Sequence, residues 1–167
     1  MGSIDPAQLS RWFDEFRASL SLYAQHWLEP ALAEDAVQGV FVGLMKEESE
    51  PKNVKAWLFR AVRNAAIDQF RSRDRRQVHE AHSAGDRAAW FEPSTDDRID
   101  AAAAQTALLK LAADEREIVV LRIWVGMTFK EIAAIVGQPL PTVFVRYREA
   151  LAVLREILES SCRTKNH

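Results

Sequence analysis

The chain has 167 residues, enough for one ordinary domain or two small ones, and its 48% hydrophobic and 28% charged residues exclude a disordered polymer. A formal net charge of −2 excludes a protein that coats nucleic acid by uniform positive charge, and a single cysteine, Cys162, excludes an internal disulfide. No 18 apolar residues run together and no basic segment leads into an apolar core, so no membrane insertion is expected and the protein is expected in the cytoplasm. Six glycines and six prolines separate stretches built from Ala, Leu, Glu and Arg, the strong helix formers. The expected fold class is therefore all-α, with two small helical domains joined by a flexible linker.

In chain order, the first helix is expected over residues 7–28. Leu9, Trp12, Phe13, Phe16, Leu20, Tyr23 and Trp27 recur there at threes and fours and fall on one stripe. Glu29-Pro30 breaks it. A second helix over 33–46 carries Ala36, Val37, Val40, Phe41 and Leu44 as its inner stripe, and residues 47–53, with Pro51, form a loop. The third helix, 54–73, uses Val54, Leu58, Ala61, Val62, Ala65 and Phe70, so three apolar faces can close one small core over residues 1–76. Residues 77–100 show no sustained period and read as a linker. His79 and His82 lie within it with no third ligand nearby, so no metal or other cofactor is expected.

The second block, 101–167, opens with a helix to residue 111 and another over 114–125. Thr128-Phe129-Lys130-Glu131 is then a capping box, in which the Thr128 hydroxyl accepts the Glu131 amide while Glu131 reaches back. Ile132, Ala133 and Val136 continue an apolar face, and Gly137 supplies a left-handed residue to stop the helix. Pro139 and Pro141 hold the chain extended before a long helix over 142–158, with Val143, Tyr147, Ala150, Leu154 and Leu158 turned inward. A short helix, a glycine turn and a longer helix make the plan of a helix-turn-helix; an αα-hairpin in any bundle gives the same pattern.

Charge is segregated along the chain. Residues 29–51 hold six acidic side chains against Lys46, a net −5, whereas 52–76 hold eight basic side chains against Asp68 and Asp74, a net +6. Residues 77–105 return to −4. Such alternation suits different partners on different faces, or else is ordinary solvated helix surface. There is no nucleophile–base pair and no glycine-rich phosphate loop, so an enzyme is not expected.

Three segments together resemble one family, the extracytoplasmic-function (ECF) group of bacterial sigma factors. Ala33-Glu34-Asp35-Ala36-Val37-Gln38-Gly39-Val40-Phe41 is similar to a helix of the family's region two, and so is the segment from Trp57-Leu58-Phe59-Arg60 through Arg63-Asn64 to Asp68. Asp114 to Arg122, with Gly126-Met127-Thr128-Phe129-Lys130-Glu131-Ile132-Ala133, resembles region four. The resemblance implies a factor that directs RNA polymerase to specific promoters and nucleates their opening. Its implied partners are core RNA polymerase through the β′ and β subunits, promoter DNA and an anti-sigma factor.

By that resemblance Glu34, Asp35, Gln38 and Phe41 face the β′ subunit. Arg60, Arg63, Arg71, Arg73, Arg75 and Arg76 neutralise promoter phosphates, and Asn64, Asp68 and the loop at residues 50–53 lie near captured bases. Trp57 belongs to the core. The acidic linker runs in a basic channel of the polymerase. Thr142, Phe144, Arg146 and Arg148 contact the upstream element.

The chain departs from the family in its recognition helix, where Phe144 and Val145 stand in place of Lys and Ser, and Glu149 in place of Arg. An apolar side chain can contact a thymine methyl but cannot bond guanine. Phe144 either reads DNA in this way or packs on the helix that starts at Phe129. Gly39 replaces the family's usual acid. A sigma-like interaction protein, which binds polymerase or an anti-sigma partner without productive promoter reading, is the second functional expectation.

Overall fold

The computed structural model describes residues 4–77 and 98–164. Most of the expected linker, with His79 and His82, lies outside them. The chain divides into two compact units between Ala88 and Ala89, and no strand occurs among the described residues.

In the first unit, α1 (Pro6–Ala24), α2 (Pro30–Met45) and α3 (Val54–Gln77) all pack on one another. Asp5 caps α1 through the Ala7 amide at 3.1 Å, with Pro6 in the first turn, where no donor is needed. The helix stops at Ala24, four residues before the expected end. There the His26 and Trp27 amides bond back three residues, to Tyr23 and Ala24, and tighten the chain into a turn. The tightening brings Trp27 edge-on to Tyr23 at 5.3 Å. α2 starts at Pro30, earlier than expected, because a proline that breaks the preceding helix is well suited to the first position of the next.

Leu20, Tyr23, Val37, Leu44, Leu58, Phe59 and Val62 are the fully buried centre of this core. The Phe59 ring lies 5.5 Å from Tyr23. Asn53 caps α3 through the Ala56 amide at 2.9 Å, and Trp57 is only half-buried. Phe70, expected on the inner stripe, is 43% exposed, since the buried stripe of α3 ends one turn earlier, at Ala66. The helix runs on to Gln77, with no buried residue beyond that point among those whose burial is described.

The second unit holds α4 (Arg98–Lys110), α5 (Ala113–Val119), a π-helical turn (Val120–Trp124), α6 (Phe129–Val136) and α7 (Leu140–Thr164). α4 starts inside the stretch expected to be linker. Leu108, Leu111, Val119 and Ala150 form one core cluster, with Tyr147 and Leu154 packed against it. The π turn is marked by the Val125 amide reaching the Val120 carbonyl, five residues back, at 3.2 Å. The capping box forms: the Glu131 amide donates to Thr128 Oγ1 at 3.2 Å, and the Thr128 amide donates to Glu131 Oε2 at 2.8 Å. Gly137, at φ 69°, ends α6 in the left-handed region. α7 begins at Leu140 and outruns its core, so Leu158, expected inside, is 41% exposed.

Thr128→Ala removes the hydroxyl that accepts the Glu131 amide, while the amide of residue 128 keeps its bond to the Glu131 carboxylate. It should destabilise the second unit by about 1 kcal/mol, read as amide hydrogen exchange roughly fivefold faster across α6 and the start of α7. Unchanged exchange there would show that the cap contributes nothing to the helix-turn-helix.

Candidate polymerase and promoter surfaces

α2 buries Ala33, Ala36, Val37, Val40, Phe41 and Leu44, which turns Asp35, Gln38 and Gly39 to solvent. Two expected contacts are engaged within the unit. Phe41 is 5% exposed and stacks edge-on against Phe13 at 5.0 Å, so it supports the face from beneath. Glu34 is taken up within the unit. Arg17 donates to its Oε2 from Nη2 at 3.1 Å and from Nε at 3.2 Å, and Ser21 Oγ donates to its Oε1 at 2.9 Å. That carboxylate ties α1 to α2.

The exposed face continues into residues the sequence reading missed. Val42 and Met45 are 50% and 59% exposed, one and two turns beyond Gln38. Their signal was available as apolar residues off the inner stripe of α2. A Cβ placed on Gly39 would meet nothing within 4 Å, so packing does not forbid the acid the family carries there.

α3 sorts its polar residues by helical position. Arg60, Asn64, Asp68, Arg71 and Arg75 recur at threes and fours on one exposed stripe. Arg73 and Arg76 are exposed on other sides of the helix, so the cationic run does not present one face. Arg63 is half-buried, its guanidinium 6.0 Å from the centre of the Trp27 ring. The Arg75 Nε donates to the Arg71 carbonyl at 3.3 Å, holding the last turns in register.

In the second unit the first turns of α7 lie against α6 through aromatic rings. Phe129 meets Phe144 edge-on at 5.4 Å and Tyr147 at 5.1 Å. The Arg122 guanidinium sits 4.7 Å from the Phe129 ring centre, and its Nη1 donates to the Met127 carbonyl at 2.7 Å. Phe144 therefore packs on α6, yet it remains 45% exposed. Arg146 Nη1 donates to Asp114 Oδ2 at 2.8 Å, an ion pair between α7 and the start of α5 that takes up one of the expected DNA contacts. Thr142 is half-buried, and Arg148 is exposed with its guanidinium 6.0 Å from the Phe144 ring. Val145 is 51% exposed and Leu140 46%.

Among the described residues no helix is long and apolar enough to cross a membrane, and no group of three or more His, Cys, Asp or Glu is placed to hold a metal ion.

Residues 13–76 match the family Sigma-70 region 2, and residues 101–154 match Sigma-70, region 4. The chain is 31% identical over 135 residues to the RNA polymerase sigma-E factor of Streptomyces antibioticus, covering 79% of this chain and 73% of that protein. It is 30% identical over 167 residues to the ECF RNA polymerase sigma factor SigL of Mycobacterium tuberculosis, covering 93% and 91% of the two chains. Among solved structures it is similar to the sigma factor RpoE of Bartonella quintana in complex with the anti-sigma factor NepR. That match has a TM-score of 0.72 at 27% identity and covers 90% of this chain and 98% of that one.

Exposed pairs such as Arg146–Asp114 contribute about 0.2–1 kcal/mol. Asp114→Ala should therefore leave the melting temperature within about 2 °C while freeing one cation, raising affinity for arbitrary duplex DNA and steepening its salt dependence by about one unit of slope. A large fall in melting temperature with unchanged DNA binding would make the pair purely structural.

Proposed function

The chain belongs to the ECF group of bacterial sigma factors, and from that premise we propose how its surfaces divide the work of directing RNA polymerase to promoters. The observation that carries this reading is the division of exposed chemistry in the first unit. One three-helix core presents an acidic-to-apolar strip on α2 and a cation-bearing stripe on α3.

The α2 strip, Asp35, Gln38, Val42 and Met45, binds core polymerase. Asp35 supplies charge complementary to a basic partner, and Val42 and Met45 supply apolar area that water leaves on docking. The stripe of Arg60, Arg71 and Arg75 contacts promoter phosphates, and Asn64 and Asp68 on the same stripe lie beside the bases captured as the strands part. Arg73 and Arg76 add unspecific attraction. The helix-turn-helix binds the upstream element through Phe144 and Arg148, with Thr142 beside them. The chemistry of RNA synthesis belongs to the polymerase, and the factor itself catalyses nothing.

The solved sigma factor similar to this chain was captured with an anti-sigma factor. We assign this chain a partner of the same kind, acting in the cytoplasm and competing with polymerase for the exposed α2 strip. Nothing in either unit favours the alternative of an interaction protein that does not initiate. In vitro transcription with the cognate core enzyme tests the reading as a whole: the chain should confer promoter-specific initiation, and polymerase binding without transcripts would overturn it.

Two variants test the division. Asp35→Lys, at an exposed position, should weaken capture of core polymerase about tenfold with the helical circular dichroism unchanged; undiminished capture would remove the strip from the interface. Replacing Arg71 and Arg75 together with Ala should reduce open-complex formation and lower its salt slope by about two. A permanganate footprint with an undiminished bubble would take α3 out of promoter opening.

A further inference from the structure

The first two turns of α7 expose Leu140, Phe144 and Val145 at 46%, 45% and 51%, and Pro141 is exposed beside them. These are the turns of a recognition helix that meet base edges. Only two arginines lie there to bond guanine, and Arg148 is the exposed one. Arg146 is held by Asp114 at 2.8 Å, and Arg148 lies over Phe144 with its guanidinium 6.0 Å from the ring centre.

We propose that the second unit reads thymine through its 5-methyl group, with Val145 as the contacting side chain on an exposed apolar surface that includes Phe144. The proposal rests on the reading that this unit binds upstream promoter DNA. The thymine methyl is the one apolar feature that a base pair presents in the major groove, and an exposed valine can bury it without leaving a polar group unsatisfied.

Two features make the contact specific. Val145 is β-branched, so in a helix its methyl groups are confined to one strongly preferred rotamer. Its neighbour Phe144 is fixed edge-on against Phe129 at 5.4 Å, and Phe129 is in turn covered by the Arg122 guanidinium at 4.7 Å. The apolar patch is thus flanked by Arg122 and Arg148, and Lys130 is exposed on α6. That cationic border suits a groove walled by phosphates. Glu149, exposed just past Val145, repels phosphate and confines close approach to the first two turns.

The experiment uses the full chain in holoenzyme with its cognate core polymerase. Promoter duplexes randomised in the upstream region are selected for binding. The winning element is then resynthesised with deoxyuridine in place of each thymidine in turn, which deletes one methyl and changes nothing else. At one or two positions deoxyuridine should weaken binding about threefold to fivefold, the worth of one buried methyl. In the variant Val145→Ser, whose side chain carries no methyl group, the same replacement should cost less than about 1.5-fold, as expected when the two groups contact each other. Val145→Asn serves as a second variant and should behave in the same way.

An enriched element whose binding ignores deoxyuridine everywhere would overturn the inference and leave upstream recognition standing. Deoxyuridine sensitivity that persists in both Val145 variants would overturn Val145 as the reader. No enrichment at all would overturn upstream recognition by this unit, and the inference with it.

Discussion

A helix in a small bundle can bury only one stripe, and the burial ends where its partner helices end. That constraint governs both units. α1, α2 and α3 close around Leu20, Tyr23, Val37, Leu44, Leu58, Phe59 and Val62, and this closure uses one face of each helix. Off those stripes lies the surface open to solvent. On α2 the remainder is Asp35, Gln38, Val42 and Met45, while on α3 it is the stripe from Arg60 to Arg75. The same limit extends α3 and α7 past their cores, to Gln77 and Thr164, with no buried residue described beyond Ala66 in the first or beyond Ala150 in the second.

Such closure also uses up charges that the sequence offers for function. Glu34 accepts from both Arg17 and Ser21, and Arg146 is paired with Asp114. Neither pair is deeply buried, so each adds only a modest amount to stability. Their larger effect is on what remains available. With Glu34 occupied, Asp35 is the carboxylate of its segment turned outward. With Arg146 occupied, Arg148 is the exposed arginine in the first turns of α7. Function is set here as much by which charged groups the fold subtracts as by which it displays.

The elements themselves were legible in the sequence because their signals are local. The capping box at Thr128 and Glu131 and the left-handed stop at Gly137 each depend on a few neighbouring residues. The family was legible because its motifs fall in order along the chain. What local pattern could not supply was the extent of each partner surface. Phe70 and Leu158 continue their stripes correctly, yet the stripes outlast the core that would cover them. Phe41 belongs to the family motif but is buried against Phe13, a contact between helices that no spacing within α2 reveals. The six arginines read as one basic run split around α3, because a charge count ignores the 100° turn per residue that separates Arg73 and Arg76 from the Arg60 stripe.

The recognition helix shows how these limits combine. A helix-turn-helix ordinarily gains affinity from cations and specificity from groups that bond base edges. This one has few of either free: Arg146 is paired, Arg148 lies by an aromatic ring, and Glu149 opposes phosphate nearby. Its affinity for DNA alone must therefore be low, and its choice of sequence must come from shape and apolar contact, which are worth less per base than a bidentate bond. A weak reader is adequate only when something else holds it close. Under the proposed division of surfaces, docking of the α2 strip on polymerase would supply that, because tethering one surface raises the effective concentration of the next without adding any contact. Weak upstream recognition then carries an advantage: the free factor is not drained onto the bulk of the chromosome, and discrimination is exercised mainly within holoenzyme.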